Sequence, residues 1–225
     1  MEPLQLREHE VFGALKKLAG RSLVIIGGYA VNAYALPRFS VNCDVVVKDV
    51  SESSAVERML YESGYSPKTH ANGGDGLFRR YEKGLGNSFV AGFDIFIGQV
   101  VDRQSGASIQ SEWIFRNSET RRLVGKTIME ALDARIINPD ALFVMKMISC
   151  RSTDIRDMFM LANTIKDREF VREEVAARCD FDSRFKRLAA VIQSKDFRNG
   201  LQGIYGAIDP QTFERSTRAA LALGR

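Results

Sequence analysis

The chain has 225 residues, 45% of them hydrophobic and 27% charged, which supplies a core for one large domain or two small ones and predicts a globule. A formal charge of +4 suits phosphate-bearing partners, yet it is small against 32 basic and 28 acidic residues, so a bulk nucleic-acid coat is not implied. Cys43, Cys150 and Cys179 are odd in number and set in apolar surroundings, which reads as buried thiols of a reducing compartment; no apolar run reaches the roughly 18 residues of a membrane span, and the start MEPLQLREHE lacks a signal core, so an intracellular, cytoplasmic protein without membrane contact is expected.

In chain order, Leu4 to Ala19 carries apolar residues at helical spacing and is stopped by Gly20. SLVII, Ser22 to Ile26, is short and β-branched and predicts a buried strand; Tyr29 to Leu36 predicts a helix ended by Pro37. Asn42 to Lys48 reads as a second strand, and Ser54 to Glu62 as a surface helix closed by Gly64. The polar, glycine-rich SPKTHANGGDG after Tyr65 predicts a turn or mobile loop, followed by two strands, Leu77 to Glu82 and Ser88 to Ile97, joined by EKGLGN. Ser105 to Leu132 mixes short strand candidates with the polar RNSETRR. From Pro139 the character changes to helices: PDALFVMKMISC, DIRDMFMLANTI, REFVREEVAARC, FDSRFKRLAAVIQ and PQTFERSTRAALAL all carry helical periodicity between caps or prolines. The expectation is an α+β protein, an α/β domain over residues 1–137 followed by a helical C-terminal domain over 138–225, with no internal repeat.

The chemistry concentrates in IIGGYAVNAYALPRFSVNCDVVVKD, Ile25 to Asp49. A strand that ends in Gly27 and Gly28 and feeds a helix is either a tight turn or a seat for phosphate, because backbone N–H groups and the helix dipole favour an anion there. Period-2 alternation then places Asn42 and Asp44 on one face of the next strand, next to that turn, where their oxygens could hold Mg²⁺. Asp94 stands inside the apolar run GFDIFIG, where an unpaired charge is costly and a metal would explain it. With only His9 and His70 in the chain, histidine-based hydrolysis and a histidine metal site are disfavoured.

GG, a short helix, R-x-S/T-x-D-x-D and a later strand with one aspartate resemble the nucleotidyltransferase superfamily, the polymerase-beta-like group. More narrowly, IIGGYAVNAYALPRFSVNCD followed by PDALFVMKMISCRSTDIRDMFML is similar to the AbiEii and MenT-like toxin branch, a resemblance that runs from Leu23 to Leu161. It implies a Mg²⁺- (or Mn²⁺-) dependent enzyme that moves a nucleoside monophosphate from an NTP to an acceptor. A tRNA 3′ end or a protein hydroxyl would be that acceptor, and the protein would be the toxin of a toxin–antitoxin pair with an antitoxin partner. It further implies Gly27 and Gly28 on the triphosphate, Asn42, Asp44 and Asp94 as metal ligands and catalytic residues, Lys146 on the nucleotide phosphates, and Asp157 as a site residue paired with Arg151 or Lys146. Arg38 braces the metal site or a phosphate, or is a surface ion pair; Ser40 matches the S/T of the pattern, or satisfies nearby backbone. For Lys146 a snorkelling lysine is the other reading, for Asp157 a structural ion pair, and Asp154 fits the first turn of a new helix.

Asn42 departs from that pattern where it matters most, since it stands where the first carboxylate of DxD belongs. Its amide offers a carbonyl oxygen but no charge, so catalysis through two cations would be strongly impaired. A natural pseudoenzyme, an enzyme with one weakened metal site and an inactivating substitution of a parental aspartate all account for it; the last is the reading favoured by the completeness of the other motifs. A catalytically silent nucleotide- or RNA-binding module and a small-molecule adenylyltransferase are the rival functions.

Overall fold

The computed structural model describes residues 2–68, 76–86 and 88–224. It has two compact units: Met1–Ala33, Phe39–Val100 and Ile109–Ile137 form the first, and Tyr34–Arg38, Val101–Ser108 and Asn138–Arg225 the second.

The first unit runs α1 (Pro3–Lys17), β1 (Leu23–Ile26), α2 (Gly27–Asn32), β2 (Asn42–Val47), α3 (Val50–Glu62), β3 (Ser66–Lys68), β4 (Phe78–Gly84), β5 (Val90–Ile97), β6 (Gln99–Val101), β7 (Ser108–Gln110), α4 (Ser111–Arg116), β8 (Ser118–Val124) and β9 (Ala131–Ile137). Seven of these strands make one mixed sheet in the order β3-β4-β5-β2-β1-β9-β8, while β6 and β7 pair separately. The β2/β5 and β1/β9 pairs are parallel, the others antiparallel. LVII in β1 is apolar at every position because the strand lies inside the sheet and both its faces are buried. The core is built from Val24, Ile25, Val45, Val47, Phe93 and Ile95 of the inner strands, with Tyr65 set edge-on against Phe93 at 5.4 Å. Glu8 of α1, buried among these elements, accepts hydrogen bonds from the Lys126 N–H (2.6 Å) and from the N–H and hydroxyl of Thr127 (both 2.8 Å), which explains how a carboxylate is tolerated there.

The second unit carries six α-helices among its described residues: α5 (Pro139–Ser149), α6 (Ser152–Leu161), α7 (Arg168–Ala176), α8 (Phe181–Ile192), α9 (Lys195–Tyr205) and α10 (Pro210–Leu221). Their starts follow capping chemistry. Asn138, Asp167, Asp180 and Asp209 each accept a backbone N–H three residues on with a side-chain oxygen. α5 stops at Cys150, which adopts the left-handed conformation (φ 47°). Phe159 gathers Phe197 and Phe213 around it at ring distances of 5.1 and 5.0 Å. Among the described residues no helix is long and apolar enough to cross a membrane.

The α+β class with a mixed sheet and C-terminal helices agrees with expectation, but four local readings change. α2 begins at Gly27, two residues before the predicted Tyr29, and ends at Asn32, so the glycines are its first turn. α3 begins at Val50, four residues earlier than predicted, because the Asp49 carboxylate caps the Glu52 N–H at 2.9 Å. Ser66–Lys68, predicted as part of a loop, is a strand; its Pro67 is tolerated because β3 is the sheet edge. Residues 69–75, the rest of that predicted loop and including His70, lie outside the described residues. α9 was not predicted at all: Gly200 and Gly203 interrupt its sequence signal, and Phe197 and Leu201 anchor it by burial.

Candidate functional site

β2 sits between β1 and β5, so its side chains are fixed by pairing on both sides. Asp44 stands beside Asp94 in the parallel register of β2 and β5, and Asn42 beside Gly92. Registered neighbours on parallel strands project from the same face, so Asn42, Asp44 and Asp94 converge. Cys43, Val45 and Val47 face the opposite way and are fully buried, where burial, then Asp44 and Asp94, push the Cys43 thiol well up.

The diglycine turn meets Asp44 directly. Gly27 has φ 64°, and a Cβ on it would lie 1.9 Å from an Asp44 carboxylate oxygen, so only glycine allows this approach. Gly92 does the same for Asn42, whose amide oxygen would be 2.3 Å from a Cβ there. Ser40 donates its hydroxyl to the Asn42 carbonyl at 3.0 Å, the local backbone role.

Asp94 has a partner that sequence reasoning missed. Arg80 of β4 stands opposite it in antiparallel register and donates two parallel hydrogen bonds, Nε to Oδ1 and Nη2 to Oδ2, both 2.6 Å. Such a fork is the strongest geometry a carboxylate can find in a side chain. The Asn42 amide nitrogen adds a third donor to Oδ2 at 3.1 Å. The Asp94 hydrogen bond is also the largest influence raising the Arg80 pKa, against a lowering by burial. A signal did exist: counting outward from Leu85 and Phe89, whose N–H and carbonyl are hydrogen-bonded, brings Arg80 opposite Asp94.

The second unit holds another charged cluster. Asp157 is fully buried and receives Arg38 through Nε (2.7 Å) and Nη2 (2.8 Å), together with the Lys146 ammonium at 2.9 Å. Lys146 also reaches Asp154 at 2.9 Å, and Asp154 accepts the Arg151 N–H at 3.1 Å in the first turn of α6. Burial would raise the Asp157 carboxyl, but Lys146 and Arg38 outweigh it and hold it below the usual range. Burial would lower the Lys146 ammonium, and Asp157 and Asp154 outweigh it in turn. Burial, then Asp157, push the nearby Tyr205 hydroxyl far up. Of the partners considered for Asp157, the geometry selects Lys146 and adds Arg38; Arg151 instead meets Asp102 at 3.4 Å and Asp154 at 3.5 Å.

Magnesium or manganese would have to bind at the first cluster. Among the described residues no group of three or more His, Cys, Asp or Glu gathers as a metal set. Both Asp94 oxygens are taken by a guanidinium, and Asn42 turns its amide nitrogen toward them. As arranged, the donor set does not fit a pair of divalent cations, which require oxygens facing the ion and meet a positive charge here instead.

No protein-family model matches the chain, and no curated protein sequence matches it. Solved structures do. MenT4, a nucleotidyltransferase toxin from Mycobacterium tuberculosis H37Rv, superposes with a TM-score of 0.62 at 16% identity, over 98% of this chain and 83% of that one. A proposed nucleotidyltransferase from H. pylori gives 0.53 at 16% identity over 99% and 95% of the two chains, and JHP933 from Helicobacter pylori gives 0.53 at 17% over 99% and 92%. The chain therefore has a nucleotidyltransferase fold of the kind seen in MenT4.

Proposed function

We propose that this protein binds a nucleoside triphosphate at the Gly27–Asp44–Asp94 face and transfers its nucleoside monophosphate to an acceptor hydroxyl, as a toxin-like nucleotidyltransferase. The observation that supports this reading is the registered pairing of Asp44 with Asp94 in front of the diglycine turn, within a fold shared with MenT4. In the transfer the acceptor oxygen bonds to the α-phosphorus, the bridge to the β-phosphate breaks, and pyrophosphate leaves. The hydroxyl proton goes to a carboxylate, for which Asp44 is the assigned group. Gly27 and Gly28 serve the phosphates through backbone N–H groups. Asp157 holds Arg38 and Lys146 within the second unit, a buried ion cluster of that unit. A tRNA 3′ end is the proposed acceptor, in keeping with the net charge of +4, and an antitoxin the proposed partner. The Mg²⁺ dependence that the resemblance implies is assigned to the Asn42→Asp form, which restores the first carboxylate of the DxD pattern.

A second reading, a silent NTP-binding module, is favoured by one observation: Asn42 and Arg80 together satisfy Asp94 without any metal. One experiment separates the two. The chain, its Asn42→Asp variant and its Asp44→Ala variant are incubated with each α-labelled NTP, Mg²⁺ and total RNA. Label on RNA with the first or second protein and none with the third supports transfer. NTP binding without label supports the silent module, label on a small hydroxyl compound identifies an adenylyltransferase, and absence of both binding and label sinks the proposal.

A further inference from the structure

Arg80 has spare capacity. A guanidinium carries five N–H donors, and Asp94 uses Nε and one hydrogen of Nη2, so three donors point elsewhere. The Arg80 side chain is 28% exposed where that of Asp94 is 9%, so part of the fork is open to a ligand while the carboxylate behind it is shielded. The guanidinium also lies over the Phe78 ring at 5.9 Å, a contact that adds to the hold on its plane.

The charge balance points the same way. Arg80 brings a positive charge to the Asp94 carboxylate, and Asn42 contributes no charge where the DxD pattern carries an anion. A three-carboxylate face would repel a polyanionic triphosphate unless divalent cations intervened; this one carries its own cation and one anion fewer. The side chains are also held in place, since Asp44 and Asn42 are pressed against the backbone of Gly27 and Gly92.

We propose that Arg80 is the resident cation of this site and binds the phosphates of a nucleoside triphosphate directly, so that NTP binding by this chain does not need a divalent metal ion. The proposal rests on the nucleotide-site reading above and deepens it. Arginine suits the task because its planar fork can grip a carboxylate along one edge and phosphate oxygens along another, which a lysine ammonium cannot do.

The test is calorimetric titration of the full chain with ATP, GTP, CTP and UTP, each in Mg²⁺ and in excess EDTA. The expected result is a dissociation constant for the preferred NTP that changes by less than about threefold between the two conditions, a difference under about 1 kcal/mol. Arg80→Lys, which keeps the charge and loses the fork, is expected to weaken binding in EDTA by about tenfold. Because removing Arg80 alone strands Asp94, the double variant Arg80→Gln with Asp94→Asn provides a neutral, foldable form, and it is expected to lose EDTA-resistant binding. Binding in Mg²⁺ that vanishes in EDTA overturns this inference and leaves the nucleotide-site reading standing. EDTA-resistant binding that both Arg80 variants retain overturns the assignment to Arg80. No binding of any NTP in either condition overturns both.

Discussion

The two units each hold a knot of arginine and aspartate, and the knots differ in how completely they are closed. In the second unit Asp154 and Asp157 meet Lys146 and Arg38, two anions for two cations, with Arg151 joining Asp154 to Asp102 at the rim and Asp157 fully buried. On β4 and β5, Asp94 is held by Arg80, with Asn42 of β2 adding a third donor, and the arginine is partly exposed. The first arrangement is balanced and desolvated, the condition in which breaking one partner is most damaging to the fold. The second is reachable from solvent, the condition in which a charged ligand can add contacts to the arginine. Similar residue types are thus closed off in one place and left partly exposed in the other.

The largest expected effect breaks the balanced knot. Asp157→Ala leaves Arg38 and Lys146 buried without their shared anion and should cost about 3–5 kcal/mol, read as a lower midpoint in urea denaturation. A loss under about 1 kcal/mol would mean that the knot is not closed, and the contrast would fail. Next comes Gly27→Ala, which forces a Cβ into the Asp44 carboxylate and strains a φ of 64°; about 2–3 kcal/mol is expected, with loss of NTP binding in the same preparation. Arg80→Ala should cost about 1–3 kcal/mol, and adding Asp94→Asn should return part of it, because the stranded charge is then gone. A double-mutant cycle without coupling would remove the strand cluster from the comparison.

Acidity gives a finer probe. The folded Asp157 carboxyl lies below its ordinary value of 3.8, so its contribution is present above that pH and is lost as pH falls through the folded value. The folded Lys146 ammonium lies above 10.5, so its contribution is present below that pH and is lost as pH rises through the folded value. Denaturation midpoints should therefore fall at both extremes for the wild type, and Asp157→Asn should flatten the acid limb. The smallest effect is that of Asn138→Ala, which removes the N-cap of α5 and should lower stability by about 1 kcal/mol.

How much of this was legible depends on the range of the signal. β1, β2 and β5 announce themselves through local apolar runs, and the caps at Asn138, Asp167 and Asp209 mark helix starts through residues a few places apart. β8 did not stand out because an edge strand is polar on most of its length, as SETRRLV is apart from Leu123 and Val124. α9 is held by tertiary burial of Phe197 and Leu201, which local propensity cannot register. In the site, the convergence of Asn42 and Asp44 follows from strand period, but the partnership of Arg80 with Asp94 requires the register of a hairpin. A buried aspartate in an apolar strand demands a counter-charge, and the sequence reading supplied a metal where the fold supplies an arginine.

β2 is flanked by hydrogen-bonded strands on both sides, β1 antiparallel and β5 parallel. Its amides can exchange with solvent only when the middle of the sheet opens, so the floor under Asn42 and Asp44 is as slow-breathing as anything in this unit. Adjustment to an arriving ligand then falls to the side chains and not to the backbone beneath them.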